Sequence, residues 1–397
     1  MTTHLPQGFR AAGVHCGIKS NPKKEDLALL VSDRPAVAAG VYTQNQVCAA
    51  AVTLNRSRTP SDVIRTVVIN SGNANACTGE QGDRDAREMT QLAAAACGAT
   101  EEQALVMSTG IIGEMLPMEK IRQGVKAATG CLGDDEASLV AAARGMMTTD
   151  TVHKLAAGSL DVDGRTLQVT GMTKGSAMIG PNMATMLAVV MTDVAIAPAD
   201  AQASLSAAVD DSFNCISVEG HTSTNDTVLF LANGAAGGEP LSGKSLVAFQ
   251  RVLGDVCEEL ARSIPADGEG ATHLIRIEVH GCRGRDEAHC IAKAVANSPL
   301  VKTAITGADP NWGRIVSAAG YAGVCFDPTG ISLLVNEQLL YENGAPTGFD
   351  AEAVSESIRS HHLTSIVLIF SEGDRSARFW TTDLTAEYVR LNAEYHT

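Results

Sequence analysis

Aromatic residues are scarce in this sequence, at 4% of 397 positions with only two Trp. A core for a chain this long must therefore be packed with Ala, Val, Leu, Ile and Met. None of the ten cysteines forms a C-x-x-C pair, so a structural zinc site has no local signature. No apolar run approaches the ~18–20 residues that cross a bilayer. The start, Met1-Thr2-Thr3-His4-Leu5-Pro6, lacks the basic flank and apolar stretch of a secretory signal. Low-complexity linkers, internal repeats and blocks of five like charges are also missing. Together these absences predict a reduced, cytoplasmic protein with no membrane partner.

Lys and Arg number 30 against 45 Asp and Glu, a net charge of −15. That field repels polyanions, so a nucleic-acid partner is not expected. A 45% hydrophobic content excludes disorder as the main state. The length suits two or three domains, or two intimately packed halves.

Strand and helix signals alternate along the chain. Val63–Ile69 reads as a strand that enters a loop at Asn70-Ser71-Gly72-Asn73. Asp83–Cys97 reads as a helix stopped by Gly98, and Pro117–Ala128 and Asp135–Met147 read as two more. Leu167–Thr170, Met186–Ile196, Val228–Leu231, Leu274–His280, Ile331–Val335 and Ser365–Phe370 read as strands. Along Lys244–Ile264 the residues Leu246, Phe249, Leu253, Val256, Leu260 and Ile264 form a single helical stripe. The pattern predicts an α/β or α+β fold, with sheets sandwiched by helices.

Gly238-Glu239-Pro240-Leu241-Ser242-Gly243-Lys244-Ser245 satisfies the phosphate-loop pattern G-x-x-x-x-G-K-[ST]. Pro240 lacks an N–H, Glu239 adds a negative charge, and six residues separate the preceding strand from Gly238. The segment therefore reads as a surface turn that caps the following helix, with a nucleotide-dependent enzyme as the rival.

Chemistry is better served by four other segments. In Met172–Val190, Gly175, Gly180 and Pro181 argue against a helix, and a Pro181-Asn182 turn would deliver Thr185 to the mouth of a buried strand. By itself Thr185 reads as an ordinary strand residue. Met107-Ser108-Thr109-Gly110-Ile111-Ile112-Gly113 can form an oxyanion hole or merely end a strand. Asn70–Asn75 and His221–Thr227 fit Asx/ST-turn loops equally well. No G-x-S-x-G elbow supports a Ser–His–Asp triad.

Taken together, these blocks resemble the ornithine acetyltransferase family of arginine biosynthesis. The resemblance rests on Lys174-Gly175-Ser176 through Pro181-Asn182-Met183-Ala184-Thr185-Met186-Leu187, Ser108-Thr109-Gly110, Met147–Thr151 and Thr222–Asp226. Asp267-Gly268-Glu269-Gly270-Ala271-Thr272, Gly307–Arg314 and Asn392 extend it over almost the whole chain.

The resemblance implies self-cleavage between Ala184 and Thr185, giving fragments 1–184 and 185–397 that pair as α₂β₂. It implies Thr185 as an N-terminal nucleophile whose own α-amine serves as base. Thr109 and Gly110 would form the oxyanion hole. Thr148, Lys174, Thr185, Glu269, Asn392 and Thr397 would bind substrate. The implied reaction moves acetyl from N-acetylornithine to glutamate, without metal or organic cofactor. Some family members also accept acetyl-CoA, and the sequence does not separate the two kinds. A related self-cleaving amide hydrolase or aminopeptidase is the alternative reading. Ala177 replaces an expected Gly, His273 an expected Lys, and Glu219-Gly220-His221 an acidic–Gly–acidic run. Ala177 is expected to narrow a backbone approach, and the two histidines to change charge near the pocket.

Overall fold

The computed structural model describes residues 3–180 and 186–394. Two sheets carry the described strands. The first holds β1 (Phe9–Val14), β2 (Leu27–Tyr42), β3 (Ser61–Asn73), β4 (Ala104–Ile111), β5 (Lys154–Val162), β6 (Arg165–Lys174), β7 (Leu187–Thr192) and β8 (Thr227–Ala232). Their order is β4-β3-β2-β8-β7-β6-β5, with β1 paired to the first half of β2. The second holds β9 (Leu274–Cys282), β10 (Ser332–Val335), β11 (Gln338–Glu342), β12 (Ala345–Pro346), β13 (Leu363–Ile369) and β14 (Arg375–Thr382), in the order β12-β11-β10-β13-β9-β14.

Helices α1 (Ala50–Arg56), α2 (Gly79–Ala96), α3 (Met118–Gly130), α4 (Glu136–Met146), α5 (Pro198–Asp211) and α6 (Gly243–Ala266) belong to the first sheet. Alternation along each strand sorts side chains to opposite faces. Ala188 and Val190 of β7 join the core made with α5 and α6, while Leu187, Val189 and Met191 join the one made with α4. Val68 and Val106 pack against α2 and α3, and Val67 and Leu105 face the α4 layer. The α6 stripe is buried at Phe249, Leu253, Val256, Leu260 and Ile264. Helices α7 (Arg285–Ala296), α8 (Pro299–Thr306), α9 (Trp312–Gly320) and α10 (Ala351–Ser360) cover the second sheet, and α11 (Ala386–Glu394) follows it. The expected α/β architecture, sheets sandwiched by helices, is the one observed.

Several boundaries differ from the sequence expectation. Asn70–Asn73 is not a loop but the last stretch of β3. It pairs in parallel with Ser108–Ile111, and Asn70 Nδ2 donates to Asn73 O at 2.8 Å, which satisfies an amide inside the sheet. The strand expected over Met186–Ile196 stops at Thr192. There the Asp193 carboxylate accepts the N–H groups of Gln168 at 2.9 Å and Gln7 at 3.2 Å, drawing the chain out of the ladder. Strand β6 reaches Lys174, well past Thr170, because it pairs with β7 along its second half. Helix α2 begins at Gly79, four residues before the expected start.

The Gly238–Ser245 segment is not built as a phosphate loop. Its Leu241 N–H donates to Ala195 O at 2.9 Å, and the Arg165 guanidinium packs over Gly238 and bonds Gly237 O. At the helix start Ser245 Oγ donates to Ser242 O at 2.8 Å, which makes the segment a capping turn.

Candidate active site

Three strand ends meet at one row of the first sheet. In register, Lys174 closes β6 opposite Leu187, and Leu187 stands beside Thr227 of β8. The polar run before β8 and the segment before β7 therefore reach the same edge as Lys174. The parallel pair β3 and β4 brings Thr109 and Gly110 to that edge, opposite Ser71 and Gly72.

Gly110 has φ +134°, and a Cβ there would lie 2.3 Å from the Gly72 carbonyl carbon. No side chain fits, so the backbones of β3 and β4 approach as only glycine allows. Asn225 fastens this edge to the next, because its Nδ2 donates to Ser108 O at 2.8 Å and Ala74 O at 2.6 Å.

A buried charge cluster sets the opposite wall. Asp150 Oδ1 accepts Lys154 Nζ and the Gly175 N–H, each at 2.7 Å, and its Oδ2 accepts the Thr148 N–H at 3.0 Å. Lys154 Nζ also donates to Asp267 Oδ2 at 2.6 Å, and the Glu269 N–H to Ser176 O at 2.9 Å. Asn392 on α11 completes the rim, its Nδ2 donating to Glu269 Oε2 at 2.9 Å. Burial pushes the Asp150 carboxyl upward, but the Lys154 and Lys174 ammonium groups outweigh it and hold the acid below its ordinary value. Lys174 is fully buried, and that burial lowers its pKa against the pull of Asp150 and Asp226. Buried ammonium groups of this kind gain from an added carboxylate.

These walls enclose a pocket of about 80 Å³, lined by Thr109, Gly110, Thr148, Lys174, Glu269 and Asn392 together with Thr149, Met178 and Ser223–Asn225. The sequence residues Ala184, Thr185 and Thr397 lie outside the described residues. Ala177 also lines the pocket, and its backbone is not left-handed. His273 is not part of the described lining. Its Nε2 faces Ile358 O at 3.1 Å and its Nδ1 faces Asp383 at 3.3 Å. Exposed His221 is absent from the described lining too.

Comparison with known proteins bears on this arrangement. The ArgJ family model matches residues 10–397. The chain belongs to the ArgJ family. It is 47% identical over 400 residues to the arginine biosynthesis bifunctional protein ArgJ of Rhodopirellula baltica, covering 100% of this chain and 97% of that relative. The ArgJ of Bacillus subtilis is 42% identical over 398 residues, covering 99% and 96%. A solved ArgJ chain from Bacillus halodurans superposes with a TM-score of 0.51 at 40% identity, covering 52% of this chain and 98% of its own length.

Sequence reasoning singled out the blocks Met147–Thr151 and Thr222–Asp226 without giving Asp150, Asn225 or Asp226 a task. Their type was visible, but their partners lie up to 151 residues away, as with Asn225 and Ala74. Among the described residues no helix is long and apolar enough to cross a membrane.

Proposed function

We propose that this ArgJ-family chain transfers an acetyl group from N-acetylornithine to glutamate through an acetyl ester on Thr185. One observation carries the reading. Thr109, Gly110, Thr148, Lys174, Glu269 and Asn392, scattered along the sequence, line a single pocket at the edge from which β7 starts, two residues after Thr185.

The chain is first cut between Ala184 and Thr185, which leaves a free α-amine on Thr185. An unperturbed α-amine titrates near ~8, so close to neutrality it can take the proton of its own hydroxyl. Thr185 Oγ attacks the acetyl carbonyl while Thr109 and Gly110 donate to the developing oxyanion. The C–N bond breaks, the proton passes to the leaving α-amine, and ornithine departs. The α-amine of glutamate then attacks the ester, forming N-acetylglutamate and returning the hydroxyl. Lys174 receives the substrate carboxylate, and Glu269, held by Asn392, faces an ammonium. Thr148 and Thr397 complete the substrate contacts. No metal or organic cofactor takes part, and acetyl-CoA is a second donor to be tested.

Fragments 1–184 and 185–397 associate as α₂β₂ in the cytoplasm. The halodurans chain supports two separate fragments. It is matched over 98% of its length yet spans 52% of this one, close to the share of 213 residues in 397. The test incubates purified protein with N-acetylornithine, with and without glutamate, and separately with acetyl-CoA and glutamate. Ornithine and N-acetylglutamate in equal amounts support the transfer. Free acetate formed equally with or without glutamate would make the enzyme an amide hydrolase.

A further inference from the structure

The Thr222–Asp226 run ends in a carboxylate that the reaction above does not use. Asp226 is fully buried at the start of β8. Its Oδ1 accepts the Met186 N–H at 3.1 Å, and Met186 follows Thr185 directly in the chain. Backbone bonds fix both partners. The Thr227 N–H donates to Met186 O at 3.1 Å, and the Thr43 N–H to Asp226 O at 2.9 Å. Lys174 stands in register with Leu187, the next residue along, across the ladder.

A buried carboxylate is costly unless a specific bond or charge offsets it. Here the specific bond goes to the residue next to the proposed nucleophile. We propose that Asp226 is a positioning residue, anchoring the chain just after Thr185 through its bond to the Met186 N–H. The proposal rests on Thr185 being the nucleophile.

The groups that act on Lys174 are Asp150 and Asp226, which favour its charge, and Lys154, which opposes it. Burial raises the Asp226 carboxyl well above its ordinary value, against the Met186 N–H and the Lys174 ammonium.

Two variants of the full chain test the assignment. Asp226→Asn keeps an oxygen acceptor for Met186 but removes the charge, and Asp226→Ala removes both. Asp226→Asn is expected to self-cleave like the wild type and to keep the Met186 amide slow to exchange. Asp226→Ala is expected to accumulate uncleaved chain and to lose roughly 10²-fold in kcat, the scale of a misplaced reacting group. Wild-type cleavage and kcat in Asp226→Ala would overturn the proposal. So would an Asp226→Asn chain that cleaves like the wild type although its Met186 amide exchanges fast, which decides alone should the alanine variant not fold. A wild-type chain that neither cleaves nor transfers acetyl would instead strike Thr185 as nucleophile. Slow amide exchange at Met186, accelerated in Asp226→Ala, would then still report the Asp226 bond.

Discussion

Thr109 and Glu219 show how burial acts at the scale of one residue. Thr109 is 3% exposed near the end of β4 and lines the pocket, where the proposed reaction needs a donor for the developing oxyanion. Thr109→Ala should therefore cost ~2.7–4 kcal/mol of transition-state stabilisation, read as a fall in kcat with KM little changed. A rise in KM alone would make Thr109 a ground-state contact. Glu219 has both carboxylate oxygens buried behind the segment that leads to Pro181. Burial pushes its carboxyl from an ordinary 4.5 up to about 7, against the backbone N–H groups of Ile179 and His221 and the Lys302 ammonium. The folded state then binds the proton more tightly than the unfolded state. Its contribution is favourable below pH 4.5 and is lost as pH rises through 7. Glu219→Gln should raise stability at pH 8 relative to wild type, by at most ~3 kcal/mol, and leave it little changed at pH 4. Urea titrations at the two pH values measure the difference.

The element scale shows what periodicity and propensity could reveal. Helix α6 was legible because its stripe depends only on neighbouring turns, and of the six residues the spacing selects all but Leu246 are buried. The end of β3 was not legible, since Asn70-Ser71-Gly72-Asn73 carries every local mark of a loop. The parallel partner Ser108–Ile111 overrides those marks from a distance. The pocket was legible in composition and motif but not in geometry, because the neighbours Asp150 and Lys154 meet Asp267, which lies 113 residues from Lys154 in the sequence. Gly110 belongs to the same scale. Its close approach to Gly72 and its φ of +134° predict that Gly110→Ala spreads β3 from β4. Loss of at least ~2 kcal/mol in denaturant unfolding is expected, together with loss of acetyl transfer.

Across the whole molecule, the proposed cut does not follow a boundary of the fold. Strands β1–β6 precede it and β7–β8 follow it, yet all eight share one sheet. β6 pairs with β7 over Val169–Lys174 and β2 with β8 over Val37–Tyr42, so two ladders and a common core bridge the fragments. Fragments of 184 and 213 residues should co-elute in native gel filtration and separate only in denaturant. Dissociation in native buffer would contradict this continuity.

The most direct test of the account is the intact mass of each fragment after N-acetylornithine is added without glutamate. The account predicts two fragments, with 185–397 beginning Thr-Met-Leu-Ala and carrying the mass of one acetyl group on Thr185. Added glutamate should discharge that acetyl as N-acetylglutamate. An active chain that stays whole, or acetyl on fragment 1–184, would contradict it.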